Sequence, residues 1–133
     1  MRLKLISAAA VSAASLLAAG AAFAQPGGEA LFKENCAACH QPDGKGVPGA
    51  FPALAGNTFV QGPAKDVAGT VLNGRGGMPS FRSELSRGQI AQILTYVRSA
   101  WGNAAPAIDE ATVLAAPGGD KDAPAEEAVL GFH

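Results

Sequence analysis

Between positions 86 and 101 the chain reads SRGQIAQILTYVRSAW, and Ile90, Ile93, Leu94, Val97 and Trp101 recur at three- and four-residue steps. That spacing puts them on one face of an α-helix. Ser86 and Gln89 form an S-x-x-Q capping box, in which each side chain satisfies the other's exposed backbone N–H, and Leu85 and Ile90 are placed as a hydrophobic staple. Gly102 supplies a stop, so the pattern predicts a helix over 86–101. A second helix is predicted from about 28 to 38, carrying Leu31, Phe32 and Asn35 into Cys36. A third is predicted over 64–73, opened by Pro63, with Val67, Val71 and Leu72 on one side and Gly74 just past its end. Nothing alternates with a period of two, so no strand is predicted. Positions 41–62 are a 22-residue stretch punctuated by Gly44, Gly46, Pro48, Gly49, Pro52, Gly56 and Gly62, and read as loop. A loop that long in a small domain needs something beneath it to pack on. The pattern describes an all-α domain with more loop than its own core can support.

The two ends differ in character. Arg2 and Lys4 precede an uncharged run from Leu5 to Gln25, and Ala22-Phe23-Ala24 has small residues where a signal peptidase reads. This predicts a secretory signal over 1–24, removed after Ala24, with export to the periplasm; the competing reading is an uncleaved membrane anchor. No later segment is apolar enough to span a bilayer, so no stable membrane insertion is expected after cleavage. The domain is assigned to 25–103, where seven Lys/Arg face five Asp/Glu. Positions 104–133 set Lys121 against six acids and hold nine alanines, with Pro106, Pro117 and Pro124 interrupting any period. They are predicted to form a disordered acidic tail, in which Val113-Leu114 and Val129–Phe132 are the pieces able to dock. Neither part carries a basic stripe with interleaved aromatics, which excludes nucleic acid as a partner.

The candidate chemistry lies in "CAACH" at 36–40. C-x-x-C-H is the attachment signature for c-type haem: Cys36 and Cys39 form thioethers with the vinyl groups, and His40 is then close enough to bind the iron. Two other uses of such cysteines compete. A redox dithiol belongs on a βαβ pattern, which is absent, and a structural zinc needs four Cys/His ligands, whereas the chain has two cysteines and two histidines, one of them the terminal His133. A haem would also fill the space under the long loop. Its iron has a second axial position, and Met78 in "NGRGGMPSF" (73–81) is the candidate ligand, because His/Met ligation needs a thioether. Gly76 and Gly77 allow the backbone close to the ring, and Pro79 biases Met78 to an extended conformation. The alternative is an exposed loop methionine.

On these motifs the chain resembles the class I c-type cytochromes, the small bacterial periplasmic kind, over roughly 27–103. The resemblance implies an all-α cytochrome c fold, three to five short helices wrapped around one covalently attached haem c. It implies a crossing of the first and last helices, with Gly28 and Phe32 on one and Ile93 and Tyr96 on the other. It gives Pro52 the carbonyl that accepts a hydrogen bond from the ligand imidazole, and Leu54 a place packed on the haem. Arg75 takes the place of the basic residue near a propionate, though it equally suits a solvated loop. The family's mitochondrial members have a mid-chain tryptophan without counterpart here. The ending "YVRSAWGN" is similar to cytochrome subunits serving periplasmic quinoprotein dehydrogenases or terminal oxidases. The implied function is electron transfer and not enzymatic turnover, with a periplasmic dehydrogenase as donor and an oxidase or reductase as acceptor. The alternatives are a cytochrome subunit fixed in a dehydrogenase complex, a gas-binding sensor with a labile Met78, and, least favoured by the residues, a haem peroxidase.

Overall fold

The computed structural model describes residues 27–120; the signal segment assigned to 1–24 and the distal tail over 121–133 lie outside the described residues. Within them the fold is helical: α1 (Gly28–Asn35), α2 (Ala37–His40), α3 (Ala64–Asn73), α4 (Arg87–Val97) and α5 (Glu110–Leu114). No strand occurs among the described residues, only isolated bridges between Val47 and Phe51 and between Arg75 and Met78.

The helix expected over 28–38 is divided in two. Cys36 takes φ −124° and ψ −31°, outside helical geometry, so α1 ends before it and α2 is a single turn of its own. The predicted third helix has the bounds of α3. For α4 the capping box forms, with Ser86 Oγ accepting from Gln89 N at 3.1 Å and Gln89 Oε1 from Ser86 N at 2.9 Å. Its C-terminus comes earlier than the periodicity implied. Asn103 Nδ2 donates to Val97 O at 2.8 Å and Ala105 N to Arg98 O at 2.9 Å. The last carbonyls are thus satisfied by the returning chain, and Trp101 leaves the helix with φ +53°.

The helices α1 and α4 cross in contact. A Cβ on Gly28 would fall 2.0 Å from Gln92 O and 2.9 Å from Tyr96 Cβ, so only glycine permits this approach. Beside the crossing, Phe32 packs against Tyr96 and Trp101 with ring centroids 5.6 and 5.1 Å away, and Phe32 is fully buried. Leu31, Ile90, Ile93 and Leu94 complete this part of the core.

The segment 104–120 departs from the expectation of disorder. It packs along α3 and α4, with Ile108, Val113 and Ala116 buried. Asp109 caps α5 by accepting from Thr112 N at 2.8 Å. The domain supplies its backbone partners: Thr95 Oγ1 donates to Ile108 O at 3.1 Å, Arg87 Nε to Gly119 O at 2.7 Å, and Asn73 Nδ2 to Pro117 O at 2.7 Å. Composition misled because it measures whether a segment can build a core alone. Here three apolar side chains suffice, since the core and most of the hydrogen-bond donors belong to other elements.

Candidate functional site

Beneath the 41–62 loop lies a cavity of about 510 Å³, walled chiefly by Leu54, Phe59, Val60, Val67, Val71 and Phe81. Cys36, Cys39, His40, Pro52, Leu54, Arg75, Met78 and Pro79 all line it, although they come from three separate stretches of chain.

One side is built from α1 and α2. The break at Cys36 lets α2 turn as a unit, with Cys39 N and His40 N both donating to Cys36 O, at 3.2 and 3.0 Å. Both cysteines are free thiols, Cys36 half-buried and Cys39 exposed. Burial pushes the Cys36 thiol up to about 11, and the charge of Cys39 adds to the rise. A catalytic dithiol needs a lowered thiol pKa to present thiolate, so this environment opposes the redox-dithiol reading. Among the described residues no group of three or more His, Cys, Asp and Glu side chains converges to hold a metal.

His40 is oriented by the long loop. Leu54 N and Ala55 N both donate to Gly44 O, at 2.7 and 3.0 Å, and this closure brings Pro52 back over α2. His40 Nδ1 lies 2.9 Å from Pro52 O. A carbonyl oxygen can only accept, so Nδ1 carries the proton, and in the neutral ring the lone pair is on Nε2.

Met78 lines the same cavity from the turn after α3. Met78 N donates to Arg75 O at 2.9 Å and Arg75 N to Met78 O at 3.1 Å, a reciprocal pair closed over Gly76 and Gly77. Gly76 has φ +56°, a left-handed conformation that favours glycine. The turn is tied back to α3 by Ser80 Oγ, 2.5 Å from Leu72 O, and by Phe81 N, 3.0 Å from Val71 O. Arg75 is exposed, its guanidinium 5.4 Å from the centre of the Phe59 ring at the cavity's edge.

Several contributors carry no sequence signal. Asn103 accepts from Gly56 N at 2.8 Å through Oδ1 and donates to Leu54 O at 3.1 Å, which ties the loop to the end of α4. Phe59 and Val60 line the cavity from positions that read only as loop apolars.

A helical domain closed over an apolar cavity, with C-x-x-C-H on its rim, is a cytochrome c-type domain. A family profile described as "Cytochrome C oxidase, cbb3-type, subunit III" matches residues 24–97, and the chain belongs to this cytochrome c family. It is 39% identical over 107 residues to the cytochrome c subunit of a quinone alcohol dehydrogenase from Gluconacetobacter polyoxogenes, covering 71% of this chain and 23% of that protein. It is 36% identical over 110 residues to cytochrome c-552 of Thermus thermophilus, covering 68% and 71%. It is 40% identical over 100 residues to the cbb3-type cytochrome c oxidase subunit CcoP of Azospirillum sp., covering 64% and 33%. The chain thus spans about a quarter of the dehydrogenase subunit's length.

The family carries covalently bound haem c, and the residues present fit that group. The cavity is large and apolar, a cysteine pair sits at its rim, and a free imidazole nitrogen and a thioether belong to its lining.

Proposed function

We propose that this protein is an exported one-electron carrier, holding one haem c through thioethers at Cys36 and Cys39, with His40 and Met78 as the axial ligands. The observation that carries the reading is that the cysteine pair, an imidazole with Nε2 free and the thioether of Met78 line one apolar cavity. Haem c supplies a one-electron ferric/ferrous couple. The chain's own residues do the rest. The Pro52 carbonyl holds the Nδ1 proton, fixing the ring orientation and strengthening Nε2 as a donor. The Arg75–Met78 turn, braced on α3, keeps the thioether in place. Leu54, Val60, Val67 and Leu94 exclude water, which favours the less charged ferrous state. Arg75 and Pro79 stand at the rim, Arg75 available to a propionate.

If His40 and Met78 both hold the iron, no position would be left open to a substrate or gas, and the chain would act as a carrier and not as an enzyme or a sensor. The names of the relatives support redox proteins as partners, a periplasmic dehydrogenase as donor and an oxidase or reductase as acceptor. No helix among the described residues is long and apolar enough to cross a membrane. The segment 104–120 is committed to its own domain, which weighs against its use as a tether to a complex. Absorption spectra of the purified protein, oxidised and reduced, with and without carbon monoxide, test the reading. The natural chain should show a low-spin c-type spectrum indifferent to carbon monoxide, and Met78→Ala should bind it. A natural-chain spectrum that shifts with carbon monoxide would remove Met78 as a ligand, and haem extractable by acid acetone would remove the thioethers.

A further inference from the structure

Arg98 follows α4 and is only 3% exposed, a burial that arginine seldom reaches without a carboxylate. Its Nη1 donates to Val60 O at 2.7 Å and Gly62 O at 2.8 Å, and its Nε donates to Pro106 O at 2.9 Å. All three acceptors are neutral carbonyls. The ion pair found among the described residues joins Lys33 to Glu29, so no carboxylate there lies within ion-pair distance of Arg98. Desolvation lowers the Arg98 pKa from its ordinary value, yet a guanidinium remains charged at any pH a folded protein meets. The result is a buried positive charge solvated by backbone dipoles, with no carboxylate in ion-pair distance among the described residues.

Its placement relative to the cavity is constrained from two directions. Val97, the residue before it, and Val60, whose carbonyl it binds, both line the cavity. The guanidinium therefore stands one residue behind the wall. Among the described residues Arg75 is the only Lys, Arg, Asp or Glu in the lining, and it is exposed, where water and salt screen its charge. Arg98 is not screened in this way. A fixed charge in a poorly polarisable interior acts over a longer range than the same charge at the surface.

Resting on the assignment of haem c to this cavity, we propose that Arg98 is a positioning residue with two effects: its fork pins the 60–62 backbone to the end of α4, and its buried charge raises the reduction potential. The couple is ferric iron plus one electron from the donor protein giving ferrous iron, with no bond or proton change. The ferric state carries the extra positive charge, so a buried cation nearby disfavours it and favours reduction.

Three variants of the haem-loaded protein separate charge from geometry. Arg98→Gln and Arg98→Met remove the charge, the first keeping an N–H donor. Arg98→Lys keeps the charge but loses the planar fork that reaches three carbonyls. Midpoint potentials are read by spectroelectrochemistry and stability by thermal unfolding, with the carbon monoxide spectrum recorded on each. The neutral variants should shift the reduction equilibrium toward ferric by about two- to tenfold, a tenfold change being about 59 mV for one electron. The lysine variant should lose stability and keep the potential. The proposal is overturned if the neutral variants retain the natural potential with a low-spin spectrum, or if lysine shifts it as far as glutamine does. It is also overturned if only the lysine variant assembles with haem, because the charge is then a requirement of folding. A natural chain open to carbon monoxide breaks the His40/Met78 assignment instead, and the two failures are thereby distinguished.

Discussion

Gly28 shows how much one hydrogen atom in place of a side chain can decide. A methyl group there would meet the Gln92 carbonyl oxygen at 2.0 Å, and neither α1 nor α4 can yield without separating Phe32 from Tyr96. Alanine gains about 1 kcal/mol in helix propensity, less at a first-turn position. Overpacking against a backbone atom costs about 1–3 kcal/mol, and here the clash wins. Gly28→Ala should therefore lower the denaturant midpoint of the holoprotein, and a midpoint equal to or above that of the natural chain would mean the helices do not cross here. The glycine was legible only through a family resemblance, because GEALFKEN alone gives no reason for one. Cys36, Cys39 and His40 could be proposed from local sequence, since they stand within five consecutive residues. Arg98 and Asn103 were not. Each is an ordinary polar residue at a helix end until the 54–62 backbone arrives to accept its protons.

Among the elements, α5 and its flanks were misjudged, and the misjudgement can be measured. Val113 is fully buried and Leu114, next to it, is 44% exposed. On a docked segment Val113→Ala should destabilise by about 2 kcal/mol, while Leu114→Ala should stay within about 0.5 kcal/mol. Equal and silent effects in chemical denaturation would return 104–120 to the disordered tail read from its composition. By contrast α3 and the start of α4 were legible to the residue, because Pro63, Gly74 and the Ser86–Gln89 box act on the backbone directly. Where α4 ends was not legible. Its apolar period runs on to Trp101, but Asn103 and Ala105 take the terminal carbonyls first.

For the molecule as a whole, the cavity of about 510 Å³ is too large a void for a chain of this size to keep open and dry. The paired variant Cys36→Ser, Cys39→Ser, purified free of haem, should lose its cooperative thermal transition and the near-ultraviolet dichroism of Trp101 while keeping some helix. A sharp melt at the holoprotein's temperature would show that the helices support the cavity unaided. The chain's periodicity, caps and C-x-x-C-H determined the class of fold, the helix α3, the start of α4 and the candidate haem-attachment motif, because each of these acts between residues a few positions apart. Tertiary structure decided the rest: the break at Cys36, the return of Pro52 to His40, the docking of 104–120 and the burial of Arg98 behind the cavity wall. Those depend on which distant carbonyl or apolar face meets a side chain, and distance along the sequence carries no record of that meeting.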